Sequence, residues 1–261
     1  MNQIRDRRTM KPGRLVLPLA TVALAWTLII NAADQTNSQN TLTDAEQKAG
    51  WKLLFDGKTL NGWKPNEDPE SFLVRDGMIV AQGRGTAIKD QAPHPKCHLF
   101  YLGPDGHASF TDFEFEADIK SEHHANSGIY FHTEFITNAW PQKGFEIQID
   151  NDPTHPKKTG SLYAVADITE SPAKDNEWCH LYLSVRGKHV IIRVNDKMVV
   201  DWTEPTDFIL RHPPWFTERK LSKGTFALQG HDSESTVYFK NLRVRPLPAG
   251  TDTTELAPKK Q

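Results

Sequence analysis

Polar and apolar side chains alternate between residues 144 and 150. A two-residue period predicts a strand with one apolar face and one face that carries an acid, an amide and an acid, namely Glu146, Gln148 and Asp150. Carboxylates accept hydrogen bonds and transfer protons, whereas an amide both donates and accepts. This face therefore suits a polyhydroxylated ligand, and an ordinary solvated strand face is the alternative interpretation.

Two further stretches show the same alternation. Between residues 126 and 132, Tyr130 and His132 share the face opposite the apolar residues, and between 225 and 231 Gln229 and His231 do so. An unperturbed histidine titrates near pH 6.5, so either imidazole could transfer protons at neutral pH. The structural alternative is that Asn126 caps a turn and that both histidines are satisfied surface residues.

The spacing of the two acids argues against conventional glycosidase chemistry. Glu146 and Asp150 are four residues apart, so their backbones lie about 13 Å apart on a regular strand. Two-carboxylate glycosidases need acids about 5 to 9.5 Å apart, and the residue between them here is the amide Gln148. Hydrolysis by an acid pair on this strand is therefore disfavoured.

Other site types are absent from the sequence. The histidines, including the His123–His124 pair, match no zinc or calcium spacing, and no phosphate loop, dinucleotide fingerprint or nucleophile elbow is present. We therefore predict no metal and no cofactor. The net charge of -2 and the scattered basic residues offer no stripe for phosphates, so nucleic acid is not an expected partner.

Short alternating segments dominate the chain and predict its fold. Turn dipeptides separate them: Asp76-Gly77, Gly187-Lys188 and Asn195-Asp196. Many short strands without long helical patterns predict an all-β protein, a two-sheet antiparallel jelly-roll sandwich in one domain. The longest predicted loop, residues 207 to 223, is a candidate part of a site, since long loops in compact domains are often functional.

The N-terminal segment predicts export. Basic residues precede an apolar run from Leu15 to Ile30, so residues 1–33 are predicted to be a signal peptide, or an uncleaved anchor that is the sole membrane contact. The expected location is periplasmic or extracellular. Residues 34–50 are predicted as a linker, 51–247 as the sandwich and 248–261 as a polar tail. Cys97 and Cys179 are expected to be buried free thiols, although export would permit a disulfide.

The motifs together identify a family resemblance over about Trp51 to Leu247. They are Leu54-Phe55-Asp56-Gly57-Lys58 with Leu60, Gly62 and Trp63; Asn126-Ser127-Gly128-Ile129-Tyr130-Phe131; Glu146-Ile147-Gln148-Ile149-Asp150; Thr159-Gly160-Ser161-Leu162-Tyr163; Glu177-Trp178; and Leu228-Gln229-Gly230-His231. The chain resembles the 3-keto-disaccharide hydrolases, also described as 3-keto-glucoside 1,2-lyase and 3-keto-2-hydroxy-glucal hydratase domains. The resemblance implies a sandwich of the concanavalin A-like lectin and glucanase type, whose concave face gathers the polar strand faces into one sugar-binding cleft.

The resemblance also implies a chemistry. A ketone at C3 acidifies the C2 proton, so one base can start elimination at C1, and water then adds to give net hydrolysis. Glu146 or His231 is the expected base, and Tyr130, His132 or Gln148 would bind the oxygen that gains negative charge. The residues expected to bind sugar hydroxyls are Asn126, Asp150, Tyr163 and Gln229. At position 132 the family usually has a basic or amide residue, so His132 is a departure.

Two other functions fit the sequence. A secreted carbohydrate-binding module would use the same cleft without catalysis, with Trp140 and Trp215 stacking on sugar rings. A conventional endo-glucanase would require a second acid near Glu146 in space. The small-molecule sugar is the predicted partner in each case.

Overall fold

The computed structural model of the protein describes residues 39–83, 97–209 and 218–248. The predicted signal segment, residues 34–38 of the predicted linker, Trp215 and nearly all of the predicted tail lie outside this part of the chain, so those expectations stay predictions. Within the described ranges, no helix is both long enough and apolar enough to cross a membrane.

The described residues contain one short α-helix, one 3₁₀ turn and thirteen strands. Helix α1 is Asp44–Lys48, and the 3₁₀ turn is Pro69–Ser71. The strands are β1 (Lys52–Leu53), β2 (Trp63–Pro65), β3 (Phe72–Arg75), β4 (Met78–Gln82), β5 (Cys97–Tyr101), β6 (Phe113–Ser121), β7 (Asn126–Thr133), β8 (Phe145–Asp150), β9 (Cys179–Arg186), β10 (His189–Val194), β11 (Lys197–Thr203), β12 (Thr225–Gly230) and β13 (Thr236–Pro246).

These strands form two antiparallel sheets. The larger has the order β11-β10-β9-β6-β13-β4-β3, with β1 also paired to β13. The smaller has the order β2-β5-β12-β7-β8. Neighbours in each sheet are mostly distant in sequence, as expected for a jelly roll. The predicted all-β, two-sheet antiparallel sandwich is confirmed.

Alternating apolar residues from both sheets build the core. In β6, Phe113 and Phe115 are fully buried, and the ring of Phe115 stacks on Phe226 of the smaller sheet with centroids 4.7 Å apart. The smaller sheet adds Ile129 and Ile147, which are also fully buried. Each such side chain stabilises the fold by about 1.5–3 kcal/mol relative to exposure. The inner face of the smaller sheet is thereby committed to packing, and its opposite face is left for polar residues.

The predicted tight turns are where expected. Asp76 and Gly77 join β3 to β4 with φ of 50° and 74°, and Asn195 and Asp196 join β10 to β11 with φ of 48° and 61°. Two successive positive φ values are the geometry that matches the twist of paired strands, and Asn, Asp and Gly tolerate it best. These hairpins fix the register of the larger sheet.

Residues that precede Trp51 contact the sandwich. The backbone N–H of Asn40 donates to Oδ1 of Asn241 at 2.6 Å, and the N–H of Asn241 donates to Oδ1 of Asn40 at 2.8 Å. Thr43 and Glu46 form a capping box at the start of α1. The part of the predicted linker from Gln39 onward is therefore fastened to β13, because this reciprocal pair satisfies the backbone of both segments.

The two cysteines lie in different sheets. Cys97 begins β5 and Cys179 begins β9, and both are buried thiols that form no disulfide. Burial raises the pKa of Cys179 to about 12, which keeps the thiol protonated and unreactive. The expectation of two buried thiols without a disulfide is confirmed.

Candidate active site

Strand register gathers polar side chains on the outer face of the smaller sheet. Tyr130 of β7 is paired with Glu146 of β8 and with Ala227 of β12. Gln229 of β12 is paired with His98 of β5. Directly paired residues of antiparallel strands project to the same side, so these side chains share one face. The sheet therefore brings together Tyr130, Glu146 and Gln229, each of which the alternation places on the polar face of its strand.

A glycine makes room for the Glu146 carboxylate. A Cβ built on Gly128 would lie 2.9 Å from Cγ and 3.0 Å from Cδ of Glu146, and closer still to Oε1. Those distances are shorter than real Cβ contacts, so the carboxylate lies over the backbone of β7 where any other residue would displace it. Gly128 belongs to a motif noted in the sequence, but its steric role depends on a neighbouring strand.

A hydrogen-bonded chain links three of these residues. Nε2 of Gln229 donates to the hydroxyl oxygen of Tyr130 at 3.2 Å, and the hydroxyl hydrogen-bonds with the Glu146 carboxylate. Complete burial raises the pKa of Tyr130 well above its ordinary value, and the charge of Glu146 raises it further. Tyr130 therefore stays protonated and can act as a hydrogen-bond donor to an anionic oxygen.

Arg219 completes the site and was not identified from the sequence. Its Nη2 lies 4.0 Å from Oε2 of Glu146, and its Nη1 donates to the backbone oxygen of Tyr163 at 2.7 Å. Burial lowers the pKa of Arg219 and the carboxylate of Glu146 opposes that shift, and an arginine stays protonated in proteins. The signal that could have found it is the long predicted loop, residues 207 to 223, which contains this residue.

Tyr163 lies beside Glu146 at the edge of the sheet. Its backbone N–H donates to the backbone oxygen of Glu146 at 2.9 Å, and its ring lies 5.8 Å from the Arg219 guanidinium. Burial raises the pKa of the Tyr163 hydroxyl, and the nearby Glu146 charge adds to the effect. Tyr163 thus lies next to the ion pair, and its expected role in binding sugar hydroxyls stays a prediction.

Asn126 and Gln148 extend the polar face toward the end of β8. Nε2 of Gln148 donates to Oδ1 of Asn126 at 3.0 Å. Asp150 lies opposite Asn126, but both of its carboxylate oxygens are engaged by the following turn. Oδ1 accepts from the N–H of Asp152 at 2.8 Å, and Oδ2 lies 2.7 Å from Nδ1 of His155. Asp150 therefore organises the turn after β8, and Asn126 and Gln148 carry the polar face.

The prediction that His132 shares the face of Tyr130 is wrong. Between β12 and β7, Ala227 is paired with Tyr130 and Thr225 with Thr133. The chain therefore advances three residues on β7 where it advances two on β12. The extra residue is a β-bulge, which reverses the alternation, and His132 has a φ of 54°. Its ring packs 5.6 Å from Phe113 in the core.

His231 follows the end of β12. Its side chain is 18% exposed, and its Nδ1 lies 2.5 Å from Oδ2 of Asp232. Burial alone would raise the pKa of Asp232, but hydrogen bonds from His231 and Ser235 lower it to about 2. An ionised carboxylate on one ring nitrogen orients the imidazole and favours a proton on that side. His231 is thus built as an oriented, partly accessible imidazole.

Aromatic residues cover the β5 side of the face. The ring of His98 lies edge-on to Tyr130 at 4.9 Å and to Trp140 at 5.4 Å. Nδ2 of Asn66 donates to the oxygen of Ala139 at 2.9 Å, which ties the Trp140 segment to the end of β2. Glu146 is only 4% exposed and Gln229 only 2%. The site is therefore a shielded polar interior, and Trp140 packs on a histidine in this conformation.

Among the residues that the structure describes, no group of three or more His, Cys, Asp or Glu side chains is arranged to hold a metal ion. The charges that face one another are instead those of Glu146 and Arg219. This arrangement can accept a proton and stabilise an oxyanion with protein groups alone.

The chain matches known proteins over most of its length. Residues 50–245 match the model of the 3-keto-alpha-glucoside-1,2-lyase-like domain. A 3-keto-disaccharide hydrolase of Bacteroides thetaiotaomicron is 23% identical, over an alignment that covers 87% of each chain. A crystal structure from Parabacteroides distasonis, provisionally described as a glycosyl hydrolase, has a TM-score of 0.65 and 26% identity and covers 80% of this chain and 100% of its own.

A second crystal structure from Parabacteroides distasonis, with the same provisional description, agrees with the fold. It has a TM-score of 0.54 and 23% identity, and covers 76% of this chain and 99% of its own. The family match spans the strands that carry Tyr130, Glu146 and Gln229. On the family match over residues 50–245, this chain belongs to the 3-keto-alpha-glucoside-1,2-lyase-like domain family.

Proposed function

We propose that this protein cleaves the glycosidic bond of 3-keto-glucosides, including 3-keto-disaccharides, by proton abstraction, elimination and hydration. The observation that carries the proposal is the Glu146 carboxylate over Gly128, hydrogen-bonded to Tyr130 and 4.0 Å from Arg219. One base beside two groups that stabilise an oxyanion suits removal of a proton next to a ketone. The names of the family and of its Bacteroides relative support the same substrate class.

The proposed reaction begins at C2 of the keto sugar. Glu146 removes the C2 proton, and the electron pair moves toward the C3 oxygen, which Tyr130 and Arg219 stabilise as it gains negative charge. Collapse of this enolate breaks the bond between C1 and the glycosidic oxygen, and the leaving oxygen takes up a proton. Water then adds at C1 while a proton returns to C2, so the sum is hydrolysis.

We assign to His231 the transfer of a proton to the leaving glycosidic oxygen. The Asp232 carboxylate orients the ring through Nδ1, and the side chain is partly exposed. Asn126, Gln148 and Gln229 supply amide groups for sugar hydroxyls, and Tyr163 borders the ion pair. We also propose that residues 1–33 export the protein, which would place the reaction in the periplasm or outside the cell.

The test is turnover of a 3-keto-glucoside by the full-length protein and by Glu146→Gln. The amide keeps the shape of the side chain but accepts no proton, so turnover should fall by at least about a hundredfold. Glu170→Gln, at an exposed position, is the matched control and should retain activity. Full turnover by Glu146→Gln would refute the assignment.

The same assay separates the other two functions. Binding of ordinary disaccharides without any product would indicate a carbohydrate-binding module. Release of reducing ends from β-glucan would indicate an endo-glucanase, for which a second acid must lie near Glu146. Asp150 does not suit the role of that second acid, because both of its carboxylate oxygens are bonded to the turn after β8.

A further inference from the structure

The segment that carries Arg219, residues 218–224, is anchored through four backbone N–H groups. The first is that of Glu218, which donates to the backbone oxygen of Gln142 at 3.1 Å. The N–H of Leu221 donates to Oε1 of Glu204 at 2.7 Å, and that of Gly224 donates to the oxygen of Phe110 at 3.0 Å. Between them, the N–H of Ser222 donates to Nδ1 of His132 at 3.2 Å. The side chain of His132 thus accepts a hydrogen bond from Ser222, which is only three residues beyond Arg219.

Both ring nitrogens of His132 are committed to backbone groups. Nδ1 accepts from Ser222, so the ring proton must be on Nε2, which donates to the oxygen of Thr111 at 2.8 Å. The ring is therefore neutral and in a single tautomer. It joins the Arg219 segment to the loop before β6, which belongs to the other sheet.

Two glycines hold the bulge at His132 in place. A Cβ on Gly144 would lie 2.6 Å from the carbonyl carbon of His132, and a Cβ on Gly224 would lie 2.6 Å from its oxygen. Such close backbone approach from two separate segments leaves the bulge little freedom. The orientation of the imidazole is therefore set by the fold before any ligand binds.

We propose that His132 is a positioning residue whose neutral ring fixes Ser222 and thereby holds Arg219 against Glu146. The inference deepens the proposed function, because it rests on the role of Arg219 in that reaction. His132 itself touches no reacting atom. It acts through the backbone of the segment 218–224, whose Arg219 side chain reaches the site.

Two substitutions at His132 separate positioning from folding. His132→Asn keeps an acceptor near the Nδ1 position and tolerates a positive φ, so it should retain most of the wild-type kcat. His132→Ala removes the acceptor of the part-buried hydrogen bond from the Ser222 N–H, and kcat should fall about tenfold with little change in KM. Equal kcat losses in both variants would overturn the proposal, and the Asn variant keeps the test valid if the Ala variant fails to fold.

A double-mutant cycle tests whether the effect passes through Arg219. Once Arg219→Met has removed the guanidinium, adding His132→Ala should change kcat less than about twofold, since the positioned group is already gone. If the two losses instead multiply, His132 acts independently of Arg219 and the proposal is wrong.

Amide hydrogen exchange tests the positioning without a substrate. His132→Ala should accelerate exchange in residues 218–224 and leave the β10–β11 hairpin unchanged, because local opening follows from the lost acceptor. Unchanged exchange in 218–224 would overturn the inference. The two tests can fail separately. If the wild-type protein does not turn over 3-keto-glucosides, the proposed function is wrong; faster exchange in His132→Ala would still show that His132 holds Ser222 in place.

Discussion

The carboxylate of Glu146 lies over the backbone of Gly128, on the strand that pairs with its own. The absent side chain at position 128 determines where the carboxylate is held. Among the described contacts, Tyr130 and Arg219 meet the same group from two other directions. The position of one acid thus depends on two other segments, β7 and the loop that carries Arg219.

Gly128→Ala should reduce activity without unfolding the protein. The added methyl group must displace the Glu146 side chain, and a shift of about 1 Å at a reacting group costs on the order of a hundredfold in rate. Gly230→Ala is the matched control, because its Cβ would meet no atom closer than 3.4 Å. Turnover and thermal unfolding of both variants would check this, and unimpaired turnover by Gly128→Ala would contradict it.

Arg219→Met should lower both turnover and stability. Removal of the cation leaves the charge of the buried Glu146 carboxylate uncompensated, which should lower the free energy of unfolding by about 3 kcal/mol. The kcat should fall at least about a hundredfold, which is the effect of losing an oxyanion donor. Adding Glu146→Gln should restore the stability but not the activity. Urea unfolding and steady-state kinetics measure the two effects, and a double variant as unstable as the single one would refute the pairing.

Tyr130→Phe should affect the chemical step more than substrate binding. The substitution removes the hydroxyl that joins Gln229 to Glu146 and leaves the ring in place. Loss of one donor to the developing oxyanion should reduce kcat by about a hundredfold, with KM nearly unchanged. A rise in KM at constant kcat would instead show that Tyr130 binds the ground state of the substrate.

His132 should make stability depend on pH in the acidic range. Burial lowers its pKa to about 4, while hydrogen bonding to Thr111 and the charges of Asp112 and Glu204 oppose that shift and Lys143 adds to it. In the unfolded chain the histidine pKa is near 6.5, so between pH 4 and 6.5 the unfolded state binds more protons than the folded state. The free energy of unfolding is therefore highest above pH 6.5 and falls by about 3 kcal/mol toward pH 4.

Urea unfolding between pH 4 and 7 would measure this dependence. His132→Asn removes the titrating ring, so the difference in unfolding free energy between the variant and the wild type should change over the same interval. A constant difference across that range would show that His132 contributes no proton linkage.

The sequence predicts the sandwich and much of the site because both follow from local alternation. In β8 the two-residue period places Glu146 and Gln148 on the face that the structure confirms as polar. The tight turns at Asp76 and Asn195 are equally local, because they depend only on which residues tolerate positive φ. Features set by neighbouring residues in the chain could therefore be predicted.

The remaining features depend on contacts between distant segments. The bulge at His132 is enclosed by Gly144 and Gly224, and nothing within β7 itself signals an extra residue. Arg219 comes from a loop, where periodicity gives no orientation, and its partner Glu146 is in a strand. Asp150 has the right position for a ligand role, but the turn after it engages both carboxylate oxygens.

Because the ion pair is buried, its strength depends little on the salt concentration. The side chains of Arg219 and Glu146 are 1% and 6% exposed, whereas the surface pair Lys174 and Glu177 is 73% and 65% exposed. Mobile counterions screen charges that they can approach, and they screen buried pairs much less. The attraction that holds the guanidinium beside the carboxylate therefore persists from dilute to saline surroundings.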